Sequence, residues 1–285
     1  RPTWCYSWKS FRELFGFGSK LLASGLLETI YKNIYLIVIG RVFSASDLGY
    51  YTRAQQFSDF PSSNLTGIMQ RVTYPVLCSI QKDDSRLADV YRRFLRLSAF
   101  VIFPLMMGLA AVAQPLILVL LKEQWLFTAI LLQILCFSMM WYPVHAINLN
   151  LLQVKGRSDL FLRLEIIKKI IGVGILCITI PMGLIAMCVG TIFSSLIALV
   201  INTYYTGKLI HVGFVRQMRD LTPTLLLSIS MGGVVYTFLY YLSWGALVQL
   251  ICGVCVGVFY YLFLASCLRF REWKELIDLL HRNNN

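Results

Sequence analysis

The fold class this sequence predicts is all-α: a polytopic helical membrane protein of about eight transmembrane helices, with both ends cytoplasmic. Three observations predict it. Of 285 residues, 58% are hydrophobic and only 14% charged, whereas a soluble domain averages about 25% charged. The apolar residues lie in long blocks, each able to supply the roughly 20 residues that a helix needs to cross a bilayer. The basic residues alternate from side to side across those blocks. Of the 26 Lys and Arg, 21 fall in the N-terminal stretch, every second connection and the C-terminal tail. Arg41, Arg53 and Lys122 lie in the intervening connections, and Lys32 and Arg71 inside spans. Short loops rich in Lys and Arg stay on the cytoplasmic side. Helices are required because lipid-exposed backbone must satisfy its own hydrogen bonds, and the short alternating segments of a barrel are not seen.

The first span covers 14–40. Ser24, Glu28, Tyr31 and Tyr35 recur at helical spacing and share a face, on which Glu28 and Lys32 can pair. Ionisable groups at membrane depth normally face protein or a water-filled cavity, so the pair is a self-neutralising contact or a cavity lining. The second span, 52–80, is too polar for a plain hydropathy criterion and is accepted on parity. Only with it do the basic segments 1–20, 82–96, 155–169, 208–219 and 269–282 share one side. The remaining spans cover 95–121, 126–152, 160–181, 184–206, 221–242 and 244–268. The uncharged turns Pro181-Met182-Gly183 and Ser243-Trp244 predict tight helical hairpins. Pro61, Pro75, Pro104, Pro115, Pro143 and Pro223 predict bends.

The second span carries a polar stripe. Thr52, Gln56, Asp59, Ser63, Thr66 and Gln70 are spaced four, three, four, three and four, which is one helix face. Asn64 and Arg71 flank it, opposite Phe60, Leu65, Ile68, Met69 and Val72. Such a stripe lines either an aqueous cavity or a polar helix–helix contact. Arg71 is the best single anion contact, because its planar fork suits phosphate or carboxylate; a diphosphate-linked lipid or an acidic sugar fits. The inner part of the fifth span holds Arg163, Glu165, Lys168 and Lys169, read either as side chains snorkelling to headgroups or as a vestibule for an anionic ligand.

Other chemistry is thinly represented. No glycine-rich phosphate loop occurs, and no nucleophile–base set or metal cluster can be assembled, so neither catalysis nor a cofactor or metal is expected. His145, His211 and His281 are widely separated; His145, beside Pro143, reads as a hydrogen-bonded packing residue before a proton relay. Cys252 and Cys255 form a C-x-x-C inside an apolar run with no partner pair. All eight cysteines are expected as buried thiols. The net charge of +12 sits at span ends rather than on one face. It therefore reads as a topology signal and a contact to anionic membrane lipids, not as a nucleic-acid surface. The chain opens without Met on Trp4-Cys5-Tyr6-Ser7-Trp8-Lys9, which reads as the middle of a longer protein.

From the second span onward particular runs accumulate. They are Gly40-Arg41-Val42-Phe43, Asp47-Leu48-Gly49-Tyr50-Tyr51-Thr52-Arg53-Ala54-Gln55-Gln56, Arg71-Val72-Thr73-Tyr74-Pro75 and Ser79-Ile80-Gln81-Lys82-Asp83. Tyr91-Arg92-Arg93, Ala113-Gln114-Pro115, Trp125 and Gly156-Arg157-Ser158-Asp159-Leu160 follow. In this order and spacing the chain resembles the polysaccharide exporter or flippase family of the multidrug/oligosaccharidyl-lipid/polysaccharide superfamily, and is most similar to its O-antigen and capsule branch.

That resemblance implies two six-helix lobes around a central cavity, often with two further helices. It divides this chain into a linker over 1–13, a second six-helix lobe over 14–206, two additional helices over 207–268 and a cytoplasmic tail over 269–285. A missing N-terminal lobe is the implied partner, beside membrane lipids. The first two helices of each lobe line the cavity in the family, which places Glu28, Lys32, Asp59, Asn64, Gln70 and Arg71 on the substrate path. The implied activity is flipping of a polyprenyl-diphosphate-type lipid-linked oligosaccharide across the bacterial inner membrane by alternating access. A drug or cation antiporter of the same superfamily is the alternative, and would favour surplus acid in the cavity. A membrane sugar polymerase or transferase is the third reading, and would need a larger outer loop than the one near 41–52.

Overall fold

The computed structural model describes residues 7–242 and 244–275, without the side chains of Lys9, Glu13 and Lys32. The readings that concern Cys5, Ser243, His281 and the Lys32 side chain lie outside the described residues. Within them the chain is all-α, a polytopic membrane protein of ten α-helices: α1 Trp8–Val42, α2 Ala45–Ser79, α3 Asp84–Ala111, α4 Ala113–Leu121, α5 Leu126–Met139, α6 Tyr142–Val154, α7 Ser158–Thr179, α8 Leu184–Ile210, α9 Phe214–Tyr241 and α10 Ala246–Cys267. Six helical stretches among the described residues are long and apolar enough to cross a membrane: most of α1, α3, α5 with α6, α8, α9 and α10. The polar α2 falls short of that composition, as its sequence predicts.

The helix ends follow local chemistry. Ser44 and Asp47 form a reciprocal cap at the start of α2, with Asp47 N donating to Ser44 Oγ at 3.1 Å and Ser44 N to Asp47 Oδ2 at 3.2 Å. Asp83 accepts from the Arg86 backbone N–H at 3.1 Å and caps α3. That N–H, helped by the Ser85 hydroxyl, holds the Asp83 carboxyl below the usual carboxylate range. His211 ends α8 in the left-handed region, at φ +57°. The turn into α9 is so tight that a Cβ on Gly207 would stand 3.0 Å from the Gly213 Cα, so any larger residue there would press on the neighbouring backbone.

The third span is built from α3 and α4, broken at Val112, and the fourth from α5 and α6, broken at Met140-Trp141. In both cases a proline, Pro115 or Pro143, lies in the first turn after the break, where its missing N–H leaves no bond unmade. Pro61, Pro75, Pro104 and Pro223 lie inside continuous helices. The cysteine reading is corrected: Cys136 and Cys188 are buried, but Cys177, Cys255 and Cys267 are exposed on the outside of the bundle. Against lipid an apolar thiol needs no protein cover.

α3 is the central column. Leu87, Tyr91, Leu95, Ile102, Phe103 and Met106 on it are fully buried, and it packs on α2, α5, α6 and, most extensively, α9. A second apolar cluster of Phe100, Leu227, Met231, Tyr261 and Ala265 seats α9 and α10 on its flank. There the Tyr261 hydroxyl donates to the Phe100 carbonyl at 2.7 Å. A wholly buried polar knot ties the same region together. Asn148 Nδ2 donates to Gln217 Oε1 at 3.0 Å, and Thr206 Oγ1 to Asn148 Oδ1 at 2.6 Å, which joins α6, α8 and α9.

Candidate functional site

A half-open cavity of about 460 Å³, its largely apolar wall set with polar and charged side chains, is lined by α1, α2, α5, α6, α7 and α8. From α1 come Ser24, Glu28, Tyr31 and Tyr35, four side chains on one helix face. Tyr51, Gln55 and Gln70 enter from α2, Tyr142, His145, Asn150 and Gln153 from α6, and Glu165, Lys168 and Lys169 from α7. α8 adds Thr191, Ser194 and Ser195.

The close approach of α1 and α7 sets the geometry. A Cβ on Gly172 would fall 2.2 Å from the Tyr31 hydroxyl, so only glycine lets Tyr31 lie against α7. One turn away the Lys169 ammonium sits 4.3 Å from the centre of the Tyr31 ring and pairs with Glu28 across the seam. Lys168 pairs with Glu165 at 2.5 Å, and Lys169 also lies 3.9 Å from Glu165. Two carboxylates and two ammonium groups thus neutralise one another; Glu165 is buried, whereas the Glu28 side chain is 41% exposed. The basic vestibule read from the inner part of the fifth span is, at Lys168 and Lys169, matched acid for base; Arg163 points elsewhere and is exposed.

His145 lies between Ser195, at 3.0 Å from Nε2, and Asn202, at 3.2 Å from Nδ1. The Asn202 amide nitrogen donates to Nδ1, so Nε2 carries the proton and donates to the Ser195 hydroxyl. Ser195 in turn donates to the Ser138 carbonyl at 3.4 Å. Gln70 Nε2 donates to Asn150 Oδ1 at 3.3 Å and ties α2 to α6.

The six residues singled out from the sequence are divided. Glu28 and Gln70 line this cavity. Asp59 is half-buried on α2 and outside the cavity lining; Asn64 and Arg71 are exposed on α2, where Asn64 Nδ2 donates to the Phe60 carbonyl at 2.7 Å. Lys32 occupies a position on α1 whose side chain is not described. The buried side of α2 is Tyr51, Ala54, Ser58, Ser62, Thr66, Thr73 and Leu77, turned toward α5 and α6; of the polar stripe only Thr66 is fully enclosed. Sequence reasoning missed Gln55, Asn150 and Ser195, which carry no spacing signal of their own. Among the described residues no three His, Cys, Asp or Glu side chains gather as a metal site.

Residues 1–130 match a family model described as polysaccharide biosynthesis protein. The chain is 29% identical over 159 residues to the teichuronic acid biosynthesis protein TuaB of Bacillus subtilis, covering 56% of this chain and 33% of that protein. It is 26% identical over 203 residues to the lipopolysaccharide biosynthesis protein WzxC of Escherichia coli, covering 71% and 41%. Against the probable low-salt glycan biosynthesis flippase Agl15 of Haloferax volcanii it is 21% identical over 282 residues, covering 96% and 59%. The chain therefore spans less than two thirds of each of these relatives. Its fold is similar to that of the lipid II flippase MurJ in an inward closed conformation, with a TM-score of 0.72 at 15% identity over 96% of this chain and 57% of that one. The sequence motifs, the match over residues 1–130 and the fold agree that the chain is similar to the polysaccharide exporters and flippases.

Proposed function

We propose that this chain is the second lobe, with two additional helices, of a transporter that flips a lipid-linked oligosaccharide or polysaccharide precursor across the bacterial inner membrane. The observation that carries the reading is the set of charge-balanced and polar side chains lining a cavity in an apolar bundle whose fold is similar to that of a lipid-flipping protein. A sugar headgroup needs such a polar route, while its lipid tail stays in the bilayer. The exposed polar side of α2, with Asn64 and Arg71, supports a path that runs between this lobe and a companion lobe. The share of the relatives that the chain covers supports that companion. In this reading Arg71 or Lys32 meets the anionic polyprenyl-diphosphate group, and Glu28 or Asp59 binds a coupling cation or proton. The two lobes rock to give alternating access, driven by an ion gradient or the membrane potential, with no covalent chemistry on the substrate. The alternation of Lys and Arg supports both ends on the cytoplasmic side.

A drug or cation antiporter is the second reading. It calls for surplus acid, whereas Glu28 and Glu165 are matched by Lys169 and Lys168. The deciding experiment is surface polysaccharide export in a deletion strain, complemented by the full-length gene or by this chain alone. Restoration by the full-length gene only, with lipid-linked precursor accumulating inside the deletion strain, is expected. No export defect in the deletion strain, together with gained drug resistance on expression, would replace flipping with the antiporter.

A further inference from the structure

Where helices pack at the end of the bundle that carries Arg92, cations are matched with acids. Arg92, Arg93 and Arg96 hold Asp220, Glu275 and Glu272, Lys155 holds Asp84, and Arg157 holds Asp159. The turn between α8 and α9 is different. Lys208, Arg216 and Arg219 are exposed there, and among the described residues none of the three has an ion pair. No Asp or Glu occurs from residue 166 to residue 219, and Asp220 is taken by Arg92. Other exposed cations at this end keep acidic company. Lys82 and Arg86 stand among Asp83, Asp84 and Asp89, and Arg163 stands between Asp159 and Glu165 in sequence.

The depth of the turn says what kind of anion meets it. With 27 and 28 residues, α8 and α9 are each roughly 40 Å long against about 30 Å of hydrocarbon, so their terminal turns reach the headgroup layer. Lys208 lies in the last turn of α8, and Arg216 and Arg219 in the first two turns of α9. The close approach of Gly207 to Gly213 joins those helix ends in one small surface. Its flank is apolar: Tyr204, Phe214 and Val215 are exposed, and the Lys208 ammonium lies 5.2 Å from the centre of the Tyr204 ring. An acyl chain covers such a flank, whereas a free anion leaves it bare.

We propose that the α8–α9 turn is a binding site for one anionic phospholipid of the adjacent leaflet, with Lys208, Arg216 and Arg219 around its phosphate and its chains against Tyr204, Phe214 and Val215. Such a lipid is a resident of the protein rather than its cargo, so the site stands or falls apart from the flippase reading.

The test is thermal unfolding of the full-length protein in a neutral detergent, titrated with phosphatidylglycerol, phosphatidylcholine, inorganic phosphate or a poly-glutamate peptide. A saturable rise in Tm with phosphatidylglycerol alone, weakened by added salt, is expected. The triple variant Lys208→Ala/Arg216→Ala/Arg219→Ala should lower the apparent affinity about fivefold for each cation lost. Lys82→Ala/Arg86→Ala/Arg163→Ala removes the same charge from the same end. It should keep the parent's affinity within about twofold, since exposed charges beyond the roughly 8 Å screening length act weakly. All six side chains are exposed, and the single change Arg216→Glu, which should also weaken binding, guards against a triple variant that fails to insert. An equal loss in the two triple variants would make the attraction a property of the whole charged end and overturns the site. So does an equal rise with phosphatidylcholine, a rise with phosphate or poly-glutamate that the α8–α9 variants abolish, or a flat Tm with all four. Polysaccharide export in the deletion strain reads transport separately, so failure of the lipid site leaves the flippase reading standing, and the reverse.

Discussion

Arg92 on α3 holds Asp220 on α9 through two parallel hydrogen bonds, Nε to Oδ2 and Nη2 to Oδ1, both 2.7 Å. The pair fastens α9 to the N-terminal half of the central column α3. Arg96–Glu272 at 2.9 Å and Arg93–Glu275 at 2.8 Å extend the same seam. Because the guanidinium fork matches the carboxylate, Arg92→Ala should cost about 2 kcal/mol of stability, and Arg92→Lys should recover only part of it. Thermal unfolding in detergent, in a double-mutant cycle with Asp220→Ala, measures the coupling. Full additivity of the two changes would show that the pair does not hold α9.

Gly172 is the position where α1 and α7 touch. Gly172→Ala places a methyl group 2.2 Å from the Tyr31 hydroxyl, so Tyr31 must leave its place. A loss of about 1–3 kcal/mol is expected from overpacking. Adding Tyr31→Leu to the same protein should restore most of it. Unfolding of the single and double variants is compared, and equal stability of the two would refute the contact.

Lys169 sits between Glu28 and Glu165. Lys169→Met removes the ammonium that Glu28 and, at longer range, Glu165 face, and should cost about 1 kcal/mol, together with export. Adding Glu28→Gln removes the carboxylate opposite the lost ammonium and should return part of the stability. Protein level, Tm and surface polysaccharide are read in parallel. A double variant less stable than Lys169→Met would mean that Glu28 is held by something other than the lysine.

Arg71 is exposed, so Arg71→Ala should leave folding within about 0.5 kcal/mol of the parent. If it meets the anionic headgroup, export in the full-length protein should fall at least tenfold, and Arg71→Lys should keep more of it. Normal export by a stably inserted Arg71→Ala protein removes Arg71 from the substrate path.

How far the sequence could be read depends on the range of the forces involved. The helical membrane class, the polar nature of α2 and the shared face of Ser24, Glu28, Tyr31 and Tyr35 were legible, because composition and helical periodicity act within one segment. The breaks at Val112 and Met140-Trp141 were not. Six prolines looked alike, and whether a helix bends through one or restarts before it depends on what packs around it. Exposed Cys177, Cys255 and Cys267 show a related limit: hydropathy separates apolar from polar, but not lipid-facing from protein-facing.

The sequence by itself determined that this chain crosses a membrane as helices, since the backbone in lipid must bond within its own segment. It also determined which side chains each helix presents on a given face, since the helical repeat is constant. Only the tertiary structure decided which faces meet. Glu28 and Lys169 stand 141 residues apart, and nothing local couples them. Their pairing exists because Gly172 lets α7 close on Tyr31, a matter of side-chain volume between two helices that no single segment records.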